Sequence, residues 1–157
     1  MAQALNRKSL KSILGITLMT AALGLTACSG PTNPDVKARQ DIMKSYGDAM
    51  GVMGDMVKAP DMFDAEVVKE QAAFLADASK NPWRHFEDTE AVGNAKEAVW
   101  SNNEAFIAES EKFQKVTAEL NTVAQTATSV EDIKPDFGAV GKSCKSCHTD
   151  FKVKKDD

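Results

Sequence analysis

Apolar residues recur at helical spacing in four stretches of the chain, and polar or proline-containing segments separate these stretches. In the first stretch, residues 35–58, they return every seven positions, which predicts a helix with one face in a core. A second, weaker stretch covers residues 64–79, with Asp61 or Asp64 as its cap. The positions expected to face inward are Val36, Met43, Tyr46, Met50, Met53 and Val57, then Val68, Ala72, Phe74 and Leu75.

The third stretch has the strongest periodicity and predicts one long helix over residues 95–126. A fourth helix begins near Ser129, with Asp132 at the capping-box position. Pro135 follows closely, so either the first turn is distorted or the helix begins at Pro135. The positions expected to face inward are Val99, Phe106, Phe113, Val116, Leu120 and Val123, then Ile133, Phe137, Val140, Cys144, Cys147 and Phe151.

The long connection over residues 80–93 is polar apart from Trp83 and Phe86, and we expect these two aromatic residues to pin it across one end of the fold. No stretch alternates apolar and polar residues over a strand's length between hairpin turns. The sequence therefore predicts an all-α protein, an antiparallel four-helix bundle. Such a bundle can enclose a flat cofactor between its helices.

Residues 1–27 have the pattern of an export signal, because three basic residues precede an apolar stretch shorter than the ~20 residues of a membrane-spanning helix. The stretch ends in Leu25-Thr26-Ala27-Cys28, which resembles a bacterial lipoprotein cleavage box and predicts a lipidated Cys28. The alternative is an ordinary signal peptide cut near Ala27. Residues 28–34 then form a flexible tether, and residues 35–157 form one folded domain.

The charge of the exported part is acidic. Residues 1–27 contain three of the 19 basic residues and none of the 23 acidic ones, so the remaining 130 residues have a formal net charge of −7. Such a surface disfavours nucleic acid and anionic membrane faces as partners.

The run Cys144-Lys145-Ser146-Cys147-His148 contains the candidate chemistry. On a helix both thiols and the imidazole share one face. The thiols can add to the two vinyl groups of a haem, and His148 can ligate its iron, which predicts one covalent haem c. A zinc site lacks ligands, because His85 is the only other histidine. A thiol-disulfide exchanger would need its two cysteines at the start of a helix.

The motif and its surroundings resemble the class II cytochromes c, the cytochrome c-prime family. The residues that match are Val36-Lys37-Ala38-Arg39-Gln40, Pro82-Trp83, Val99-Trp100, Phe137-Gly138-Ala139-Val140-Gly141-Lys142 and Asp150-Phe151-Lys152. The resemblance implies a four-helix bundle with the haem near one end, and often a homodimer through the first two helices. It also implies a haem pocket that includes Gly47, Phe137, Val140, Phe151 and Lys152.

The resemblance places Met43 opposite His148, as a sixth iron ligand or as a distal shield. Arg39, one turn earlier, either pairs with a haem propionate or extends past the bundle end to solvent, and the resemblance favours the propionate. Gly47 leaves room for the haem face or for a neighbouring helix. Lys152 stands where gas-binding relatives have arginine, and its other role is to complement the carboxyl end of the helix. We expect His85 to be solvated.

Two functions follow from the resemblance. The first is the binding of nitric oxide or carbon monoxide at a five-coordinate iron, for nitric oxide sequestration or protection. The alternative is a periplasmic electron carrier with Met43 bound, which would need a redox partner protein. An enzyme is not predicted, because no acid-base pair or nucleophile lies near the motif. Ser29 after Cys28 predicts a lipid anchor in the outer membrane of a Gram-negative bacterium.

Overall fold

The computed structural model of the protein describes residues 33–154. The predicted export signal, Cys28 and most of the tether lie outside these residues. The tether prediction was wrong at its end, since the first helix, α1, spans Pro34–Lys58 and already includes Pro34. The Asn33 side chain caps α1 by accepting a hydrogen bond from the Asp35 N–H at 2.8 Å, and proline suits the first helical position.

The second helix, α2, spans Ala65–Ala78 and confirms the predicted position. Asp64 is its cap, since its carboxylate accepts from the backbone N–H groups of Glu66 and Val67. Asp61 lies instead in a 3₁₀ turn, Pro60–Met62. Phe74, expected to face inward, is 40% exposed, because the helix places it about 100° from the fully buried Leu75.

The predicted third helix is interrupted. A short helix, α3, spans Ala98–Ser101, and α4 spans Asn103–Ala124, with non-helical backbone at Asn102. Just before α3 the chain pairs with the end of the last helix, because the Lys96 N–H donates to the Phe151 carbonyl. This pairing holds residues before Ala98 outside the helix, so the helical stretch begins later than predicted. The apolar row nevertheless stays buried, at Val99, Phe106, Phe113 and Leu120.

The last helix, α5, spans Val130–Phe151. The Asp132 carboxylate accepts from the backbone N–H groups of Thr128 at 2.8 Å and Ser129 at 3.0 Å, which fixes the helix start. Pro135 therefore lies inside the helix, and a start at Pro135 is wrong.

Helices α1, α2, α4 and α5 form the four-helix bundle, in which α4 packs against α2 and α5, and α1 packs against α2 and α5. Over residues 33–154 there is no strand, only one isolated bridge between Ala95 and Lys152. No helix in that range is long and apolar enough to cross a membrane. The bundle interior, which we call the packed core, contains Met53, Val68, Leu75, Leu120, Ile133 and Val140, each 0% exposed.

Candidate cofactor site

The motif on α5 borders a cavity of about 300 Å³ between α1, α4 and α5. Both cysteines and His148 face it, and its walls are almost entirely apolar. We call it the cysteine cavity. It is lined by Met43, Tyr46, Gly47, Met50, Trp83, Glu109, Phe113, Gly141, Ser143, Cys144, Cys147 and His148.

A second cavity adjoins the first and shares Met43, Trp83, Cys147 and His148 with it. Its other walls contain basic and polar residues, so we call it the basic cavity. These residues are Arg39, Gln40, Lys44, Asn94 and Lys152, together with the apolar Phe86, Ala95, Phe106 and Phe151. A flat group with one apolar and one anionic edge fits this pair of cavities, with its anionic edge on the basic side.

The two thiols are free and half-buried. Burial raises the pKa of both, and for Cys147 burial and then the nearby Glu109 carboxylate raise it to about 11. Thiols in this state are protonated at neutral pH, unlike the thiolates of metal sites and of disulfide exchange. Within residues 33–154 no group of three or more histidine, cysteine and acidic side chains is placed to hold a metal ion. The zinc alternative therefore has no ligand set there.

The surroundings of the His148 imidazole favour its neutral form. Burial lowers its pKa, and the positive charge of Lys152 lowers it further. A neutral imidazole has a free nitrogen lone pair, which is the form that ligates a metal. His148 lines both cavities, and so does Met43 on α1. The residues predicted for the two faces of the iron thus border the same space.

Gly47 lies one turn after Met43 and faces the cysteine cavity. A Cβ built at this glycine would meet no atom within 4 Å. The explanation by close packing of a neighbouring helix is therefore wrong, and the missing side chain enlarges the cavity. Gly54 differs, because its Cβ would touch the Phe137 ring at 3.4 Å.

Arg39 is buried at 4% exposure, so the alternative in which it extends past the bundle end to solvent is wrong. Its guanidinium donates to the carbonyls of His85 at 3.0 Å, Val92 at 2.7 Å and Ala91, and lies over the Phe86 ring. These carbonyls satisfy the buried cation without an anion. Two of the five N–H groups of an arginine are left by these bonds, and Arg39 lines the basic cavity, so the propionate contact stays a prediction.

Residues 35–152 match the sequence profile of the Cytochrome C' family. The chain belongs to this family. It is 31% identical to a cytochrome c' from Alcaligenes xylosoxydans xylosoxydans over 76% of this chain and 94% of the relative. It is 29% identical to a cytochrome c-556 from Agrobacterium tumefaciens, over 76% of this chain and 94% of the relative.

A solved structure agrees with this assignment. The nitric oxide complex of a mutant of cytochrome c prime from Alcaligenes xylosoxidans superposes with a TM-score of 0.72 and 30% identity, covering 77% of this chain and 94% of that one. Cytochromes c' carry one covalently bound haem c, and the cavities of this chain fit that group. Covalent attachment through Cys144 and Cys147 and ligation by His148 stay predictions, which the shared cavity supports.

Some of the predicted pocket residues of this cytochrome c' lie elsewhere. Val140 is fully buried in the packed core, and Phe137 packs over Gly54; neither lines either cavity. They precede Cys144 by one and two turns of α5, which places them deeper in the bundle. Phe151 and Lys152 do line the basic cavity, in agreement with the prediction.

The prediction that His85 is solvated was wrong. Its side chain is 15% exposed, and its Nδ1 lies 2.8 Å from the Asp35 carboxylate. This contact and the bonds from Arg39 attach the connection to α1. Trp83 and Phe86 also pin it, since the Trp83 indole donates to the Ser79 carbonyl and the Trp100 indole to the Phe86 carbonyl.

Sequence reasoning missed several cavity residues. Tyr46 and Phe113 were assigned to the core, and the Tyr46 hydroxyl does donate to the Ala78 carbonyl at 2.6 Å while the ring borders the cavity. Glu109 and Ser143 were not singled out. The one available signal was spacing, because Glu109 stands three residues after Phe106 and four before Phe113 on one face of α4.

Proposed function

We propose that this cytochrome c' binds nitric oxide or carbon monoxide at a five-coordinate haem iron, and so sequesters nitric oxide. The observation that supports it most is the open space at Gly47, beside Met43 and across the cavity from α5. The nitric oxide complex of the Alcaligenes relative supports the same ligand. We propose binding without turnover, and no enzymatic role.

The residues of the chain would divide the work as follows. Cys144 and Cys147 would hold the haem by thioether bonds, and the neutral His148 nitrogen would ligate its iron. Tyr46 and Phe113 give the cavity apolar walls. When bound, the haem supplies an iron that takes a diatomic gas. Because Met43 faces the same space, its side chain limits the size of the gas that enters.

Absorption spectra of the reduced protein test this proposal. We expect a high-spin spectrum that shifts when carbon monoxide is added, and the same response in Met43→Ala. An unreactive low-spin spectrum in the wild type would contradict it.

The alternative function is electron transfer with Met43 as the sixth ligand. It is favoured by the position of Met43, which lines both cavities together with His148. A thioether is a competent ligand that raises the reduction potential. In that case Met43→Ala would convert a low-spin spectrum into a high-spin one, and a redox partner protein would be required.

We also propose export to the periplasm with a lipid on Cys28, in the outer membrane of a Gram-negative bacterium. Metabolic labelling with a fatty acid should mark the wild type but not Cys28→Ser.

A homodimer through α1 and α2 is a further proposal, supported by the exposed apolar side chains of Val52 and Phe74 on these helices. Sedimentation of Phe74→Lys should show a monomer if it is correct.

A further inference from the structure

One wall of the cysteine cavity contains a carboxylate with an unused oxygen. Glu109 on α4 accepts from the Ser146 hydroxyl at 3.2 Å and from the Lys112 ammonium at 3.3 Å, both through Oε1. Its Oε2 is buried and has no hydrogen-bond partner among the described residues. The Ser143 hydroxyl, 1% exposed on α5, lines the same cavity and also has no partner there.

A buried carboxylate oxygen without a donor is costly, so such a group calls for an explanation. The surrounding walls are apolar and leave the negative charge poorly screened. The carboxylate lies next to the haem attachment point, because it accepts from Ser146, the residue before Cys147, and because Glu109 and Cys147 line the same cavity. The carboxylate therefore lies beside the porphyrin edge that Cys147 would bind.

We infer that Glu109 sets the reduction potential of the haem: its negative charge favours the ferric iron over the ferrous iron. The reaction concerned is the gain of one electron by ferric iron from an external one-electron mediator, with no bond formed or broken. The inference rests on the proposed attachment through Cys147. It does not depend on whether the sixth position is open or occupied by Met43.

Lys112 opposes this effect. Its ammonium is 3.3 Å from the Glu109 carboxylate, but its side chain is 52% exposed, whereas that of Glu109 is 20% exposed. Solvent screens the exposed partner more strongly, so the buried carboxylate dominates at the haem. The two charges therefore predict shifts of opposite sign, and a structural role of the pair would not produce them.

The test is a spectroelectrochemical titration of the haem-loaded protein with mediator dyes. We expect Glu109→Gln to favour the ferrous form by a factor of about ten, a rise of ~59 mV for one electron. Lys112→Met should lower the potential. The matched control is Glu111→Gln, on an exposed position of the same helix, and it should leave the potential unchanged.

A Glu109→Gln potential equal to that of the Glu111→Gln control would overturn the inference. If Glu109→Gln does not load haem, Lys112→Met decides: an unchanged potential overturns the inference, and a fall in the potential supports it. Gas binding is measured separately by the carbon monoxide spectrum. A protein that fails to bind gas therefore disproves the proposed function without altering the potential measurement.

Discussion

The packed core and the cysteine cavity are built from the same apolar rows, yet only the packed core is filled by protein side chains. On α1, Met53 is fully buried in the core, whereas Met43 and Met50 border open space. On α4, Leu120 is in the core and Phe113 is at the cavity wall. A heptad row thus identifies the residues that face the interior, but it does not say whether a side chain or a cofactor fills that interior.

The largest expected effect is the loss of covalent haem, which should follow from changes in the cysteine cavity but not from changes in the packed core. The double variant Cys144→Ser, Cys147→Ser should lose covalent haem, because no thioether can form. Mass spectrometry should show no mass added by haem, and acidified acetone should extract any bound haem. The matched core variant Leu120→Ala should keep the covalent haem while losing about 2–5 kcal/mol of unfolding free energy. Covalent haem in the double serine variant would contradict the attachment.

Arg39 links the basic cavity to the connection. Arg39→Ala should lower the unfolding free energy by about 3 kcal/mol, because the carbonyls of His85, Ala91 and Val92 lose their donor. Urea unfolding of the haem-loaded protein measures this loss of unfolding free energy. The control is Arg84, an exposed arginine next to His85 in the connection. Arg84→Ala should change the unfolding free energy by about 0.5 kcal/mol or less. Equal losses in the two variants would show that the buried bonds contribute little.

A smaller effect is expected at Asp64, the cap of α2, which is the bundle helix that lines neither cavity. Asp64→Ala should cost about 1 kcal/mol, because the Glu66 and Val67 N–H groups lose their acceptor. Asp61→Ala, three residues earlier in the 3₁₀ turn, is the control and should be near neutral. Thermal unfolding distinguishes the two, and a larger loss for Asp61→Ala would reverse the assignment of the cap.

The smallest effect concerns pH. Hydrogen bonds from the Thr128 and Ser129 backbone lower the pKa of Asp132 below its ordinary value. The carboxylate therefore stabilises the fold above the ordinary pKa, and this contribution is lost as the pH falls through the folded pKa. Asp132→Asn should flatten the fall in melting temperature between about pH 5 and pH 2. Asp61→Asn should keep the slope of the wild type.

Periodicity and capping chemistry predicted most of the fold. The positions of α1, α2 and α5 follow from apolar spacing and from Asp64 and Ser129, all of which are local signals, although α1 begins one residue earlier than predicted. The structure offers no local cause for the break at Asn102. The late start of the third helical stretch could not be predicted, because Lys96 pairs with the Phe151 backbone, which is far away in sequence. The exposure of Phe74 depends in the same way on which neighbours the bundle supplies.

The part of the candidate site that lies in one sequence motif was predicted. Cys144, Cys147 and His148 share a helical face, so their meeting at one cavity follows from the sequence. The partners of Arg39 did not follow, because three backbone carbonyls of a distant loop have no residue signature. Val140 lines neither cavity although it shares an apolar row with the cavity residues, because it lies deeper along α5.

The connection between α2 and α3 has a consequence for exchange with solvent. At Gly93, φ is +49°, and a Cβ there would come within 2.7 Å of the Val36 side chain, so the loop backbone lies directly against α1. The Lys96 and Val153 amides cross-link it to the chain around α5. In deuterated buffer these two amides should exchange as slowly as helical ones, because they open only when the α5 end and the loop separate. A stretch that looks irregular along the sequence thus behaves kinetically as part of the folded interior.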